Sequence, residues 1–284
     1  MSHLISPDEL HARLADGAPV TLLDVRWRLD LPEGRPEYVS GHLPGAVYVD
    51  LEAELSRRGH PEDGRHPLPL HADLQRAVTR WGVDEGDLVV VYDDNDSVAA
   101  ARAWWLLRRS GLHVCVLDGG LRGWIAAGHL LRAGDVAPRA GTAALREEDP
   151  GDLSIEEAAA FPTQGVLIDV RTPERYRGTS AGYDPAAGHI PGAVNLPAVT
   201  HIAADGRLRD GEEVRRAFAR VGATEDTPIA LYCASGIASA HSALALAVAG
   251  LDAKVFSGSW SRWTQSAGRP VAVGASPAER VFGH

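Results

Sequence analysis

Residues 188–194 read Gly-His-Ile-Pro-Gly-Ala-Val, and residues 41–47 read Gly-His-Leu-Pro-Gly-Ala-Val. One stretch recurring with a single conservative exchange asks whether the chain is written twice. Working outward, Leu22-Leu23-Asp24-Val25-Arg26 matches Leu167-Ile168-Asp169-Val170-Arg171. Leu88-Val89-Val90-Val91-Tyr92 matches Pro228-Ile229-Ala230-Leu231-Tyr232. Val116-Leu117-Asp118-Gly119-Gly120 through Trp124 matches Val255-Phe256-Ser257-Gly258-Ser259 through Trp263. Ser6 with Glu9, and Ser154 with Glu157, are two matching capping boxes that open helices. The order is the same in both halves, so the chain is a duplicated domain. The copies span residues 1–135 and 151–284. Residues 136–150, polar and broken by glycine and proline, read as the linker.

Each half alternates short apolar runs with helical stretches. Val89-Val90-Val91-Tyr92 reads as a buried strand, Ala99 through Arg109 as a helix, and Val114-Cys115-Val116-Leu117 as the next strand. This is an α/β pattern: a mainly parallel sheet flanked by helices in each domain. Sites in such sheets form at the carboxyl ends of strands.

Composition removes several functions. Among the 284 residues, 45% are hydrophobic and 23% charged, enough to bury a core. The apolar runs are too short to span a bilayer. The N-terminus lacks the basic-then-apolar form of a signal peptide, which places the protein in the cytoplasm. Two cysteines far apart make neither a disulfide framework nor a zinc cluster. The net charge of −10 argues against nucleic acid. Lys254 is the single lysine, so an anionic substrate must be met by arginine or backbone N–H groups, and Schiff-base chemistry is improbable. No nucleotide, flavin or metal signature is present, and a cofactor-free protein is expected.

The chemistry concentrates at Cys233. It ends the run Ile229-Ala230-Leu231-Tyr232 and precedes Ala234-Ser235-Gly236-Ile237-Ala238-Ser239, where a helix rich in alanine begins. Small residues let backbone N–H groups turn inward as an anion cradle, and the helix N-terminus adds positive potential. Both lower a thiol's pKa and make it a nucleophile. The alternative is a small buried core residue, the reading that fits Cys115 within its strand.

The tandem halves, the repeated Asp-Val-Arg, the repeated Gly-His-x-Pro-Gly-Ala-Val and the Cys-x-x-Gly loop together resemble the two-domain rhodanese-type sulfurtransferases over nearly the whole chain. The resemblance implies two domains, each with a five-stranded parallel sheet, and a catalytic second domain with the site between the two. It implies that Cys233 takes sulfane sulfur from a small anionic donor as a persulfide and passes it to cyanide, a thiol or thioredoxin. Asp93 aligns with Cys233, and Asp94-Asn95-Asp96 with Ala234-Ser235-Gly236, so the first domain is non-catalytic. The resemblance further implies that Arg175 binds the donor's acidic group, with Arg177 as a lesser candidate, and that His42 relays protons. His42 and its copy His189 would otherwise pin a turn. Asp169 and Arg171 would brace the loop or simply pack, and Trp27 would line the donor pocket or the core. A monomer or weak oligomer suffices.

Thiosulfate-preferring members carry basic residues after the cysteine, and mercaptopyruvate-preferring members carry small neutral ones. The uncharged loop here favours 3-mercaptopyruvate, with thiosulfate as the alternative. Ala238 stands where the neutral loops have threonine. A cysteine phosphatase of this fold would need a loop one residue longer ending in arginine, and position 239 is serine. A persulfide-carrying or regulatory module without catalysis is the remaining reading.

Overall fold

The computed structural model describes residues 2–146, 151–278 and 280–282. Two compact units emerge. The first comprises Met1–Arg57, Leu68–Pro150 and Ala203–Leu208; the second comprises Arg58–Pro67, Gly151–Ile202 and Arg209–His284. A cut at residue 135 or 150 therefore misses two short segments, 58–67 and 203–208, that pack with the other half's unit. Composition does not distinguish a loop that folds back on its own half from one that does not.

In the first unit, strands β1 (Leu4–Ile5), β2 (Val20–Asp24), β3 (Val47–Tyr48), β4 (Leu88–Tyr92) and β5 (His113–Leu117) form one parallel sheet, ordered β1-β5-β4-β2-β3. Helices α1 (Pro7–Ala15), α2 (Arg35–Ser40), α3 (Leu51–Glu54), α4 (His71–Arg80), α5 (Val98–Arg109) and α6 (Gly120–Ala126) flank it. The central strand β4 is buried along its length, which is why it reads as an unbroken Leu-Val-Val-Val-Tyr run. Ser6 caps α1 by accepting the Glu9 N–H.

The expected linker is only partly a linker. Residues 147–150 lie outside the described residues, but residues 136–146 strap the first unit. Ala143 and Leu145 are buried, and the N–H groups of Gly141, Ala143 and Leu145 donate to Thr79, Val83 and Gln75. Two apolar side chains in a polar stretch are enough to anchor it.

The second unit repeats the plan with β6 (Val166–Asp169), β7 (Val194–Asn195), β8 (Ile229–Tyr232) and β9 (Lys254–Val255), parallel and ordered β7-β6-β8-β9. An antiparallel hairpin of β10 (Val271–Val273) and β11 (Arg280–Phe282) follows. Its helices are α7 (Ile155–Ala160), α8 (Pro173–Arg177), α9 (Gly211–Ala219), α10 (Ile237–Val248) and α11 (Ser259–Gln265). Among the described residues this sheet has four strands, not the expected five. The fifth position shrinks to a single bridge, Asp152 to Val255, because Asp152 turns its carboxylate to the Ser257 N–H and hydroxyl and the chain enters the Ser154-capped helix at once. The tail folds back as a strap, with Gly192 N–H donating to Pro277 O.

The repeated motif has one structural job in both units. The Tyr38 hydroxyl donates to Ala46 O at 2.8 Å and Tyr176 to Ala193 O at 2.7 Å. His42 stacks on Tyr38 and His189 on Tyr176, each with Nδ1 at that tyrosine's carbonyl. The turn after the histidine then places its Leu43 or Ile190 N–H on the hydroxyl of Tyr92 or Tyr232, at the end of the central strand. Beyond Tyr232 stands Cys233.

Candidate active site

Cys233 leaves the carboxyl end of β8 and is 2% exposed. The loop Cys233-Ala234-Ser235-Gly236 reverses in four residues before α10 starts at Ile237. Gly236 has φ +86°, a left-handed conformation that opens the helix, and it donates its N–H to Cys233 Sγ at 3.1 Å. The N–H groups of Ile237, Ala238 and Ser239, in the first turn, have no acceptor within the helix.

The first unit holds the same device with a carboxylate in it. Asp93 accepts the N–H groups of Asn95, Ser97, Ala99 and Ala100 at 2.8–2.9 Å. The Ser97 N–H on Asp93 corresponds to the Gly236 N–H on Cys233, since each belongs to the residue just before its helix. The direct alignment of Asp94-Asn95-Asp96 with Ala234-Ser235-Gly236 is thus corrected. The first loop is one residue longer, and it turns through two left-handed residues, Asp96 and Ser97, where Gly236 suffices in the second. An aspartate side chain and a cysteine persulfide carry their charge after the same number of bonds: one atom beyond Cβ, then a charged atom. The Asp93 oxygens therefore mark where the N–H groups of Gly236, Ala238 and Ser239 can hold a persulfide anion. Burial pushes the Asp93 carboxyl up to about 6, against the N–H bonds that favour its anion.

Two further side chains, Ser259 and His66, meet this loop. Ser259 sits at φ +54°, where the first unit has Gly120 at +55°. Its Oγ accepts the Cys233 N–H at 3.1 Å, donates to Phe256 O at 2.8 Å, and lies 3.8 Å from Cys233 Sγ. His66 meets Ser235 through Nδ1 and Oγ at 2.8 Å. Arg65 donates its backbone N–H to Ser261 Oγ, and the Ser261 N–H in turn reaches Ala234 O. The segment carrying Arg65 and His66 approaches α11 closely at Gly64, where a Cβ would lie 2.9 Å from Ser261 Oγ and 3.0 Å from Gly258 O. Asp184, fully buried, pairs with both Arg65 and Arg175.

The expected residues divide cleanly. Arg175 joins the Asp184 cluster, while Arg177 is exposed. Asp169 and Arg171 form a buried ion pair at 2.6 Å, and Arg171 also donates to Gly188 O and lies 4.5 Å from the Trp260 ring centroid. Burial opposes the Arg171 charge, and Asp169 more than offsets it, so its pKa rises. Trp260 donates its backbone N–H to Cys233 O, which ties this pair to the loop. Asp24 and Arg26 repeat the pair in the first unit, so its first duty is to the fold. His42 is 1% exposed and committed to Tyr38, as His189 is to Tyr176; the turn-pinning role accounts for both. Trp27 is buried in the first unit with its indole N–H on Glu52. The histidine against the cysteine loop is His66, which the sequence reading missed. Its signal was slight: an Arg-His-Pro run in a loop without a copy in the other half.

Among the described residues no cluster of three or more His, Cys, Asp or Glu side chains could hold a metal, and no helix is long and apolar enough to cross a membrane. Cys233 has no arginine in its loop, which leaves phosphoryl recognition without its usual grip.

Comparison with known proteins agrees with this geometry. The family model described as a rhodanese-like domain matches residues 6–127 and again 154–266. A Mycobacterium tuberculosis protein named "Putative thiosulfate sulfurtransferase SseB" is 43% identical over 96% of this chain and 98% of its own. The 3-mercaptopyruvate sulfurtransferase of Escherichia coli K12 is 34% identical over 90% of this chain and 93% of its own. The crystal structure of the Escherichia coli 3-mercaptopyruvate enzyme SseA superposes with a TM-score of 0.80 at 31% identity, covering 92% of this chain and 99% of that one.

Proposed function

The chain belongs to the rhodanese family, and from that premise we propose that this sulfurtransferase draws its sulfur from 3-mercaptopyruvate through a Cys233 persulfide. The observation that carries the choice is the His66–Ser235 hydrogen bond, two residues from Cys233. When the Cys233 thiolate attacks the sulfur of mercaptopyruvate, the carbon–sulfur bond breaks and its electron pair stays on carbon. That carbon must receive a proton to leave as pyruvate, and the donor's own S–H supplies it. A hydroxyl hydrogen-bonded to an imidazole beside the nucleophile is a route for that transfer. Thiosulfate leaves as sulfite and needs no such proton.

The rest of the site serves both half-reactions. Arg175, with Arg65, offers planar donors for the carboxylate. The loop N–H groups hold the outer sulfur as an anion, as their counterparts hold Asp93. Cyanide, a small thiol or thioredoxin then attacks that sulfur, the S–S bond breaks, and the Cys233 thiolate returns. The cycle needs Cys233 reduced between turnovers, which suits the cytoplasm.

The test is kcat/KM for 3-mercaptopyruvate and for thiosulfate side by side, with cyanide as acceptor and Cys233→Ser as the blank. A mercaptopyruvate preference of roughly tenfold or more is expected, equivalent to ~1.4 kcal/mol of transition-state discrimination. A thiosulfate preference overturns the donor assignment and leaves the persulfide chemistry standing. Turnover of neither donor, with no sulfur added to Cys233 by intact mass, overturns the enzyme reading in favour of a regulatory module.

A further inference from the structure

Asp184 occupies an unusual position for a carboxylate. It is buried beside residues offered to an anionic substrate, in a segment between Gly178 and Gly188. One oxygen, Oδ1, takes Arg65, and the other, Oδ2, takes Arg175 at 2.6 Å. The two guanidinium groups come from segments far apart in sequence, and this carboxylate is what brings them together. Neither is consumed by the pairing. Arg175 Nε is buried and has no hydrogen-bond partner, and each arginine gives Asp184 a single nitrogen of its fork. The cluster is linked to the cysteine loop by the Arg65 N–H on Ser261 Oγ and by His66, the next residue, on Ser235.

Charge follows from the count. Two guanidinium groups and one carboxylate leave a single net positive charge. A monoanionic carboxylate donor neutralises it. A dianion, thiosulfate above all, would bring one negative charge too many beside a buried carboxylate and two partly buried arginines, and a charge left uncompensated there is disfavoured.

We propose that Asp184 is the donor-specificity residue of this site: by cancelling one of two arginine charges it sets the site for monoanionic α-keto acid donors and against dianionic ones. The inference rests on the sulfurtransferase reading above and deepens it. It makes donor choice a property of a residue outside the cysteine loop, so the neutral loop is only half of the selection.

The experiment compares kcat/KM for 3-mercaptopyruvate and thiosulfate in the wild type, Asp184→Asn and Arg65→Gln, with thermal melts in parallel. Asp184→Asn keeps the shape and one acceptor while raising the net charge of the cluster by one. It is expected to move the thiosulfate-to-mercaptopyruvate ratio toward thiosulfate by about tenfold or more. Arg65→Gln lowers the charge by one and is expected to move the ratio the other way. A purely structural Asp184 would lower both donors together and leave the ratio unchanged, which overturns the proposal, as does a shift toward mercaptopyruvate. If Asp184→Asn fails to fold, the direction of the Arg65→Gln shift decides. A wild type that prefers thiosulfate refutes the donor assignment alone, since the opposite shifts of the two variants still test Asp184. A wild type that turns over neither donor removes both.

Discussion

Ser259 Oγ accepts the Cys233 backbone N–H at 3.1 Å from a left-handed backbone that a side chain rarely adopts. The strain is local and specific. In the first unit the same corner is Gly120, and a Cβ there would stand 2.4 Å from Asp93 O. The catalytic half therefore tolerates a Cβ where the other half has none, and what it gains is a hydroxyl 3.8 Å from the nucleophilic sulfur. Strain kept at such a point is a reason to look for function.

Ser259→Gly separates the two effects. Glycine removes roughly 1 kcal/mol of backbone strain, so Tm should hold or rise. The lost hydroxyl leaves the Cys233 N–H without its acceptor and leaves the thiolate with the Gly236 N–H but no hydroxyl beside it. Sulfur transfer should slow by roughly tenfold or more. A glycine variant with full rate would reduce Ser259 to a packing residue.

His66→Gln and Ser235→Ala test the proton route. Each should lower kcat with 3-mercaptopyruvate by about a hundredfold, the scale of a lost acid–base group. Thiosulfate turnover should fall far less, because sulfite leaves unprotonated. The double variant should be no slower than the worse single one, since the pair acts as a unit. Equal losses with both donors would mean that the pair shapes the loop and moves no proton.

The fold was legible because it is written twice, and the same fact misdirected part of the site reading. A motif shared by both halves, including the half whose cysteine is replaced by Asp93, reports what the fold needs. His42 and His189 stack on Tyr38 and Tyr176 for that reason, and Asp24–Arg26 repeats Asp169–Arg171. Catalytic specificity lies where the halves differ: Cys233 against Asp93, Ser259 against Gly120, and His66 in a segment without a copy. His66 and Arg65 were invisible because they sit in residues 58–67, which pack with the second unit though they belong to the first half of the sequence. The fifth strand was overread because a single Asp152 side chain ends it.

The Asp169–Arg171 pair should matter to stability before catalysis. Arg171 is buried against the Trp260 and Tyr232 rings and ion-paired to Asp169, while the Asp184 carboxylate acts on it more weakly from further away. Asp169→Asn removes its one ion-paired carboxylate and leaves the charge largely uncompensated, a loss of roughly 3–5 kcal/mol. Thermal melts should fall by about 10 °C. Replacing both partners by apolar residues of similar volume should recover much of the loss. An Asp169→Asn melt within about 2 °C of the wild type would show the pair to be better solvated than its burial implies.

Acid should unfold the second unit through His201. The ring is fully buried, stacked on Phe218 at 4.9 Å, and its Nε2 has no hydrogen-bond partner. Burial, and then the neighbouring His241, push its pKa from 6.5 down to about 3. The folded-state value is thus depressed. Below pH 6.5 the unfolded chain takes up a proton that the folded chain refuses until about pH 3, so stability is complete above the first value and drains away toward the second. Asp93 acts in the opposite sense, because its folded-state value is raised to about 6 and stability from it grows as pH falls toward 3.8. Comparing variants cancels that contribution. His201→Phe removes the proton site and keeps a ring against Phe218. Between pH 7 and pH 4 the variant should lose about 3 kcal/mol less than the wild type, read from urea midpoints at constant slope. Identical losses would place the acid-sensitive group elsewhere in the fold.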